Sequence, residues 1–437
     1  MKRIAIIGAG VVGINCILRL IDERDEGQAE IVWIYDSDCP IFGIGESTTP
    51  DLPSQISHTT NVSLYHAQQY FDATIKYGNK FIGWGNKQNF IHWLDLHYHG
   101  LHFDTYKFSK FFLDYLPNNT KDLSLLDQKI ESVDIDDDGI YLNGERYDFV
   151  IDCAGKSLLD QDQYFDIPYS TVNTCLAVRE PEPADWDYTI TCATENGWMF
   201  GIPLRTRRTW GYCYNSDITT EEEALADFKK VIKRDNINYR KIEWKQRFSN
   251  YFIHPSGRYG KNGNALGFVE PLESFAGSYY DQASDHLIYY ALNANPKDIT
   301  YAIDNNDWYF KEIIDDWLKN VAWMYHFGSK YDTPFWNNVK QVSKRYLNDP
   351  QIHKINETMS FTDELWDHVG DSDLLREKFV LHELDDYIDE DFCGFIMNYR
   401  DFIEITDGMG APYSHKFPMT VPMIICPEPH GELSQEH

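Results

Sequence analysis

Hydrophobic and polar positions along the chain switch between two periods, and the switches mark out an ordered set of elements. Residues 3–7 (RIAII) are a continuous apolar run, the pattern of a short buried strand. They give way at Gly8-Ala9-Gly10-Val11-Val12-Gly13 to INCILRLI, where apolar residues recur at helical spacing. A second apolar run, IVWIY, ends at Asp36. Further on, KIESVD (129–134) and GIYLNGERYDFVIDCAG (139–155) read as a β-meander with turns at Asp137-Asp138-Gly139 and Asn143-Gly144, its last strand stopping at Gly155. TCLAVRE, DYTITCAT, GWMFGIPL and RTWGYCYN predict more strands between about 165 and 215. Helical spacing resumes over 219–235, a strand ALGFVE runs into Pro271, and the chain from about 305 is mostly helical and polar.

The order strand, glycine turn, helix, strand, acid is the arrangement that binds a dinucleotide. The first glycine makes the turn, the second lets a pyrophosphate approach the backbone and the third lets helix pack on strand, so Gly8, Gly10 and Gly13 are candidate cofactor residues. The helix N-terminus offers free N–H groups to phosphate, and Asp36 is placed to accept ribose hydroxyls. A second glycine-ended strand at Gly155 and a late strand-to-helix turn, GFVEPLES, suit FAD, which is held along its length by separated segments. The expected fold is α/β: an FAD-binding Rossmann-like domain with an inserted substrate-binding β-sheet and a helical C-terminal region. The expected boundaries are 1–160 for the first part of the FAD lobe with a strand near residue 80, 161–260 for the substrate-side sheet and helix, 261–330 for the return to the FAD lobe, and 331–437 for the helical cap and tail.

Composition narrows the partners. With 39 Lys plus Arg against 69 Asp plus Glu, a net charge of −30 argues against nucleic acid or an anionic membrane surface. The eight cysteines include no C-x-x-C pair and no Cys/His ligand spacing, which favours reduced thiols and no metal. No signal-like segment precedes the first strand and no apolar run is long enough to span a bilayer, so a cytoplasmic protein is expected. Aromatic residues, at 15%, leave material for a flat pocket beyond what the core needs.

The stretch NKFIGWG (79–85) sets Lys80 in an apolar and aromatic run, where burial is costly unless the charge is paired or has a task. Nearby Lys76 reads as an ordinary surface lysine. The histidines of IHWLDLHYHGLHF (His92, His97, His99, His102) read as polar lining or surface, without a metal-binding frame.

GAGVVG (8–13), GIGESTTP (43–50), NKFIGWG (79–85), GWMFGIPL (197–204) and GFVEPLES (267–274), with DTPFW (332–336), resemble in order the motifs of flavin-dependent halogenases of the tryptophan halogenase type. The resemblance implies that reduced FAD (FADH2), supplied by a separate NAD(P)H flavin reductase, reacts with O2 and halide to give hypohalous acid. That acid passes to Lys80, which activates the halogen for a small electron-rich aromatic substrate. Glu273 matches the family's catalytic glutamate. Gly45, Glu46 and Ser47 match the loop that bridges flavin and substrate, and Trp198 the first tryptophan of its W-x-W-x-I-P motif, here with Phe200 in the second place. Ser274, Phe275 and Ala276 fall where halide is bound, with Phe-Ala replacing the usual Thr-Gly; the change predicts that bromide and iodide are used at least as well as chloride. An FAD-dependent aromatic monooxygenase and a non-catalytic flavin-binding protein are the competing readings.

Overall fold

The computed structural model describes residues 1–39, 41, 46–85, 88–94, 99–159, 164–167, 170–295, 302, 306, 314–348 and 409. Gly45, His97 and nearly all of the expected cap beyond residue 348 lie outside the described residues.

The first apolar run forms the strand Lys2–Ile7, central in a five-stranded parallel sheet. Its neighbours are Ala29–Tyr35 on one side, followed by Leu123–Asp127, and Phe149–Asp152 on the other, followed by Tyr259–Lys261. Four of these strands are the apolar runs of a sheet covered on both faces, and Ile4, Ile6, Ile31, Trp33 and Ile151 are fully buried. Helix Val11–Glu23 packs Ile14, Ile17 and Leu18 into the core and lies against the long helix Phe275–Asn293. The lobe is thus assembled from segments more than 250 residues apart. The sequence-derived meander is corrected in one respect: Val133–Ile135, Ile140–Leu142 and Glu145–Tyr147 form the antiparallel unit, while Phe149–Asp152 leaves it for the parallel sheet.

The four predicted later strands join a seven-stranded sheet in the order Tyr239–Glu243, Thr174–Glu180, Arg208–Tyr214, Trp198–Pro203, Thr189–Ala193, Gly78–Ile82, Asn89–Trp93, in which Tyr239–Glu243 and Asn89–Trp93 are strands that the sequence pattern had not marked. The strand holding Lys80 therefore belongs to the second sheet, not to the FAD lobe in which its position in sequence had placed it. It enters there by pairing parallel with Thr189–Ala193 and antiparallel with Asn89–Trp93. Helix Glu221–Ile232 covers the sheet and starts at a capping box: Thr220 Oγ1 accepts from Glu223 N at 3.2 Å and the Glu223 carboxylate accepts from Thr220 N at 2.8 Å. Helices Asp315–Phe327 and Pro334–Asn348 bring Trp317, Trp323, Tyr325 and Trp336 into the core. Among the described residues no helix is long and apolar enough to cross a membrane.

Candidate active site

The glycine turn has the steric signature of a phosphate cradle. A Cβ on Gly13 would lie 2.2 Å from the Gly8 carbonyl oxygen, and one on Gly8, whose φ is +111°, would lie 2.6 Å from the Cys153 carbonyl oxygen. These two positions are closed by the protein's own backbone. Gly10 and Gly155 are different, for a Cβ there would meet nothing within 4 Å. The open side of the turn faces the N-terminus of helix Val11–Glu23, whose first N–H groups have no acceptor within the helix. Asp36 follows directly on Ala29–Tyr35, and its Oδ1 accepts from Asp38 N at 2.9 Å. This backbone fits the diphosphate and ribose of a dinucleotide.

The second cluster lies where the Thr74–Lys76 strand hands over to Gly78–Ile82. Glu273 is buried, and its Oε2 accepts from Asn79 Nδ2 and from His92 Nδ1, the latter at 3.1 Å. Lys80 does not share this face. It is half-buried on the opposite side of the strand, with Nζ 3.3 Å from the Tyr188 hydroxyl and 5.1 Å from that ring's centroid. The lysine that senses Glu273 is Lys76. Expected on the surface, it is only 1% exposed, and burial pulls its ammonium down to about 8 against the opposing pull of the Glu273 charge.

Lys76 has a polar surround. His102, fully buried, places Nε2 2.9 Å from Thr189 Oγ1 and Nδ1 3.3 Å from Thr74 Oγ1. Burial and the Lys76 charge hold His102 well below the ordinary imidazole range, so it is neutral. Ser47 reaches the same group, with Oγ 3.3 Å from Thr189 Oγ1.

A sequence profile described as tryptophan halogenase matches residues 3–114 and 93–370. The chain belongs to the tryptophan halogenase family. RebH, a tryptophan 7-halogenase of Lentzea aerocolonigenes, is 22% identical over 427 residues, spanning 78% of this chain and 79% of RebH. ThaL, a tryptophan 6-halogenase of Streptomyces albogriseolus, is 27% identical over 219 residues; the match spans 45% of this chain and 38% of ThaL. A tryptophan halogenase structure from Shewanella frigidimarina NCIMB 400 superposes with a TM-score of 0.75 at 19% identity, covering 96% of this chain and 90% of that one. BrvH, a flavin-dependent halogenase from Brevundimonas sp. BAL3, gives 0.72 at 18% identity, with 95% and 91% covered. At these identities the superpositions show a common fold.

Against the halogenase motifs, the remaining expected residues divide. Trp198, the first tryptophan of the W-x-W-x-I-P-like motif and a candidate flavin contact, is fully buried in its sheet, and its Nε1 donates to the Tyr325 hydroxyl at 2.6 Å. Tyr325 in turn donates to Glu270 Oε1 at 2.9 Å, and burial pushes the Glu270 carboxyl up to about 7. The Trp198 ring packs against Trp84 on one side and Phe200 on another, with centroids 6.3 Å apart in each pair. The GIGESTTP loop is described from Glu46 onward: Glu46 and Ser47 pair with Phe103 and His102, which puts Ser47 beside the Lys76 cluster. The loop's far end is tied to helix Val11–Glu23, since Thr49 Oγ1 donates at 3.3 Å to the buried Asp281, which also accepts from Asn15 Nδ2.

The expected halide residues sit at the start of helix Phe275–Asn293, but Ser274 N and Phe275 N donate to Pro271 O and Leu272 O. Ala276, at the second helical position, has no acceptor for its N–H within its own helix. Glu273 and Ser274 are consecutive non-glycine residues at positive φ, +58° and +61°, a conformation that costs about 1–3 kcal/mol each and gathers at functional sites.

Asn79 and Thr189 carry no signal in the sequence, His92 and His102 read there as polar lining or surface, and Lys76, expected on the surface, is buried. The histidine-rich run held a usable signal: His92 and His102 are buried, whereas His99 lines a separate surface cleft with His58.

Proposed function

We propose that this protein is an FADH2- and O2-dependent halogenase of small electron-rich arenes, with Lys76 in the activating role that its sequence context had assigned to Lys80. The observation that carries the reading is a fully enclosed lysine, electrostatically coupled to Glu273, in a chain of the tryptophan halogenase family. Reduced FAD, held at Gly8, Gly10, Gly13, Asp36 and Gly155 and delivered by a separate NAD(P)H flavin reductase, would supply with O2 the oxidation of halide to hypohalous acid. The Lys76 ammonium then donates to the oxygen of that acid, weakening the halogen–oxygen bond, and the proton leaves with the oxygen as water. The halogen bonds to the ring, and Glu273 takes the ring proton. Neutral His102 and the hydroxyls of Thr74, Thr189 and Ser47 exclude bulk water without adding a second cation, which keeps the oxidant at the amine.

The decisive experiment supplies the protein with reduced FAD, air and bromide over a panel of indoles and phenols, with catalase present, and identifies products by mass spectrometry. Brominated product is expected. Product with one added oxygen instead would assign the chain to aromatic monooxygenases, and flavin binding without product to non-catalytic flavoproteins.

Two further outcomes follow. Because the folded-state value of Lys76, about 8, lies below its ordinary 10.5, the ammonium is lost as pH rises through about 8. Product yield per flavin reoxidised should fall above that pH, while Lys76's contribution to stability moves the other way. The unfolded chain binds the extra proton between about 8 and 10.5, so that contribution rises with pH across this window. A flat yield from pH 7 to 9.5 would remove Lys76's charge from the mechanism. For the halide, the Ala276 N–H, which has no acceptor in its own helix, can replace only part of a water shell, and bromide or iodide loses that shell at less cost than chloride. In an equimolar mixture the larger halides should be incorporated at least as fast; preferential chlorination would overturn this reading.

A further inference from the structure

We propose that Asn79 and His92 act as positioning residues that clip one oxygen of Glu273 and so present the other to the hydrogen of the halogenated ring carbon; the inference rests on the halogenase reading above. Asn79 and His92 are direct partners in the antiparallel pairing of Gly78–Ile82 with Asn89–Trp93, so their side chains stand side by side on one face of the sheet. Both converge on the same atom, Glu273 Oε2. A carboxylate only accepts, so the Asn79 amide nitrogen and a protonated His92 Nδ1 are fixed as the donors.

The other oxygen is left over. Glu273 Oε1 and Asn79 Oδ1 are buried and have no hydrogen-bond partner among the described residues. Folding alone does not favour this arrangement, since an unsatisfied buried acceptor costs about 1–3 kcal/mol and more when charged. The backbone at Glu273 and Ser274 adds to that cost through its two left-handed conformations. A strained, half-satisfied carboxylate held by two donors on a rigid strand pair is an aimed acceptor.

The chemistry needs one. Once halogen has bonded to the ring, the C–H bond at that carbon must break, its electron pair must return to the ring and the proton must go to a base. Oε1 takes that proton, and its transfer to the Lys76 amine, which has given its own proton to the departing oxygen, restores both groups. The clip fixes the direction of Oε1 and holds it there through the transfer.

The test uses His92→Phe, which keeps a ring but removes the donor, and Asn79→Asp, which keeps the shape but turns the donor into an acceptor. Each variant is checked for flavin retention and melting temperature, then given reduced FAD, air, bromide and either indole or 3-deuterated indole in separate single-turnover reactions. Wild type should brominate both at the same rate. The variants should reoxidise flavin normally, give about 10²-fold less product per flavin turnover, and show a primary isotope effect as proton loss becomes limiting. Wild-type yields without an isotope effect in both variants would overturn the clip. No brominated product from wild type would instead overturn the halogenase reading. Nitrogen-15 spectra decide the clip's geometry without any substrate: His92 should be protonated at Nδ1 in wild type and lose that preference in Glu273→Ala, whereas an Nε2-protonated His92 in wild type overturns it.

Discussion

Lys76→Ala is expected to lose about 10²–10⁴-fold in halogenated product while flavin reoxidation continues, and Lys80→Ala is expected to stay near wild type. The contrast follows from what each amine touches. Lys76 is enclosed, partly discharged by burial and held by the Glu273 field, whereas Lys80 reaches the Tyr188 hydroxyl on the other side of its strand. Lys76→Arg sharpens the test: a guanidinium stays charged but cannot fit the ammonium's space or release its proton at neutral pH, so it should also be inactive. Product and flavin reoxidation measured in the same reaction give the answer, and a dead Lys80→Ala beside an active Lys76→Ala would reverse the assignment.

The second large effect concerns the glycine turn, where two substitutions that look alike in sequence should behave differently. Gly10→Ala places its methyl in open space at an ordinary φ of −76°, so the flavin-free protein should melt as wild type does. The same methyl stands where the pyrophosphate must approach, and FAD affinity should fall by about tenfold or more, equivalent to at least about 1.4 kcal/mol. Gly13→Ala drives its methyl into the Gly8 carbonyl and should lower flavin-free stability by about 1–3 kcal/mol as well as affinity. Calorimetric melting and fluorescence titration with FAD separate the two. Wild-type FAD affinity in Gly10→Ala would show that the cofactor does not cross this turn.

How much of the site was legible depended on whether its parts are local. The glycine turn and Asp36 were readable because strand, turn, helix and strand fall within one stretch whose period changes are sharp. Glu273 was readable from its motif, but its partners were not, because Asn79 and His92 reach it across 194 and 181 residues of sequence. Lys76 and Lys80 were the hardest pair to separate. They differ by four positions, and in a single strand they would share a face. The chain instead changes sheets at Tyr77: Thr74–Lys76 pairs with Gly100–Phe103, and Gly78–Ile82 with Asn89–Trp93 and Thr189–Ala193. That break in pairing resets the side-chain alternation, so parity along the sequence no longer tells which lysine faces Glu273. Trp198 shows a related limit: its motif named the residue, but its partner Tyr325 comes from a helix more than 100 residues later.

By itself the sequence determined the α/β class, the glycine turn, four strands of the second sheet and the halogenase motifs, because each is written in local period or in short runs of residue types. Only the tertiary structure decided which lysine is enclosed, which donors hold Glu273, and that the GIGESTTP loop ends against Asp281 between the two long helices. Those outcomes depend on strand register and on burial, and both are set by segments that meet only after the chain has folded.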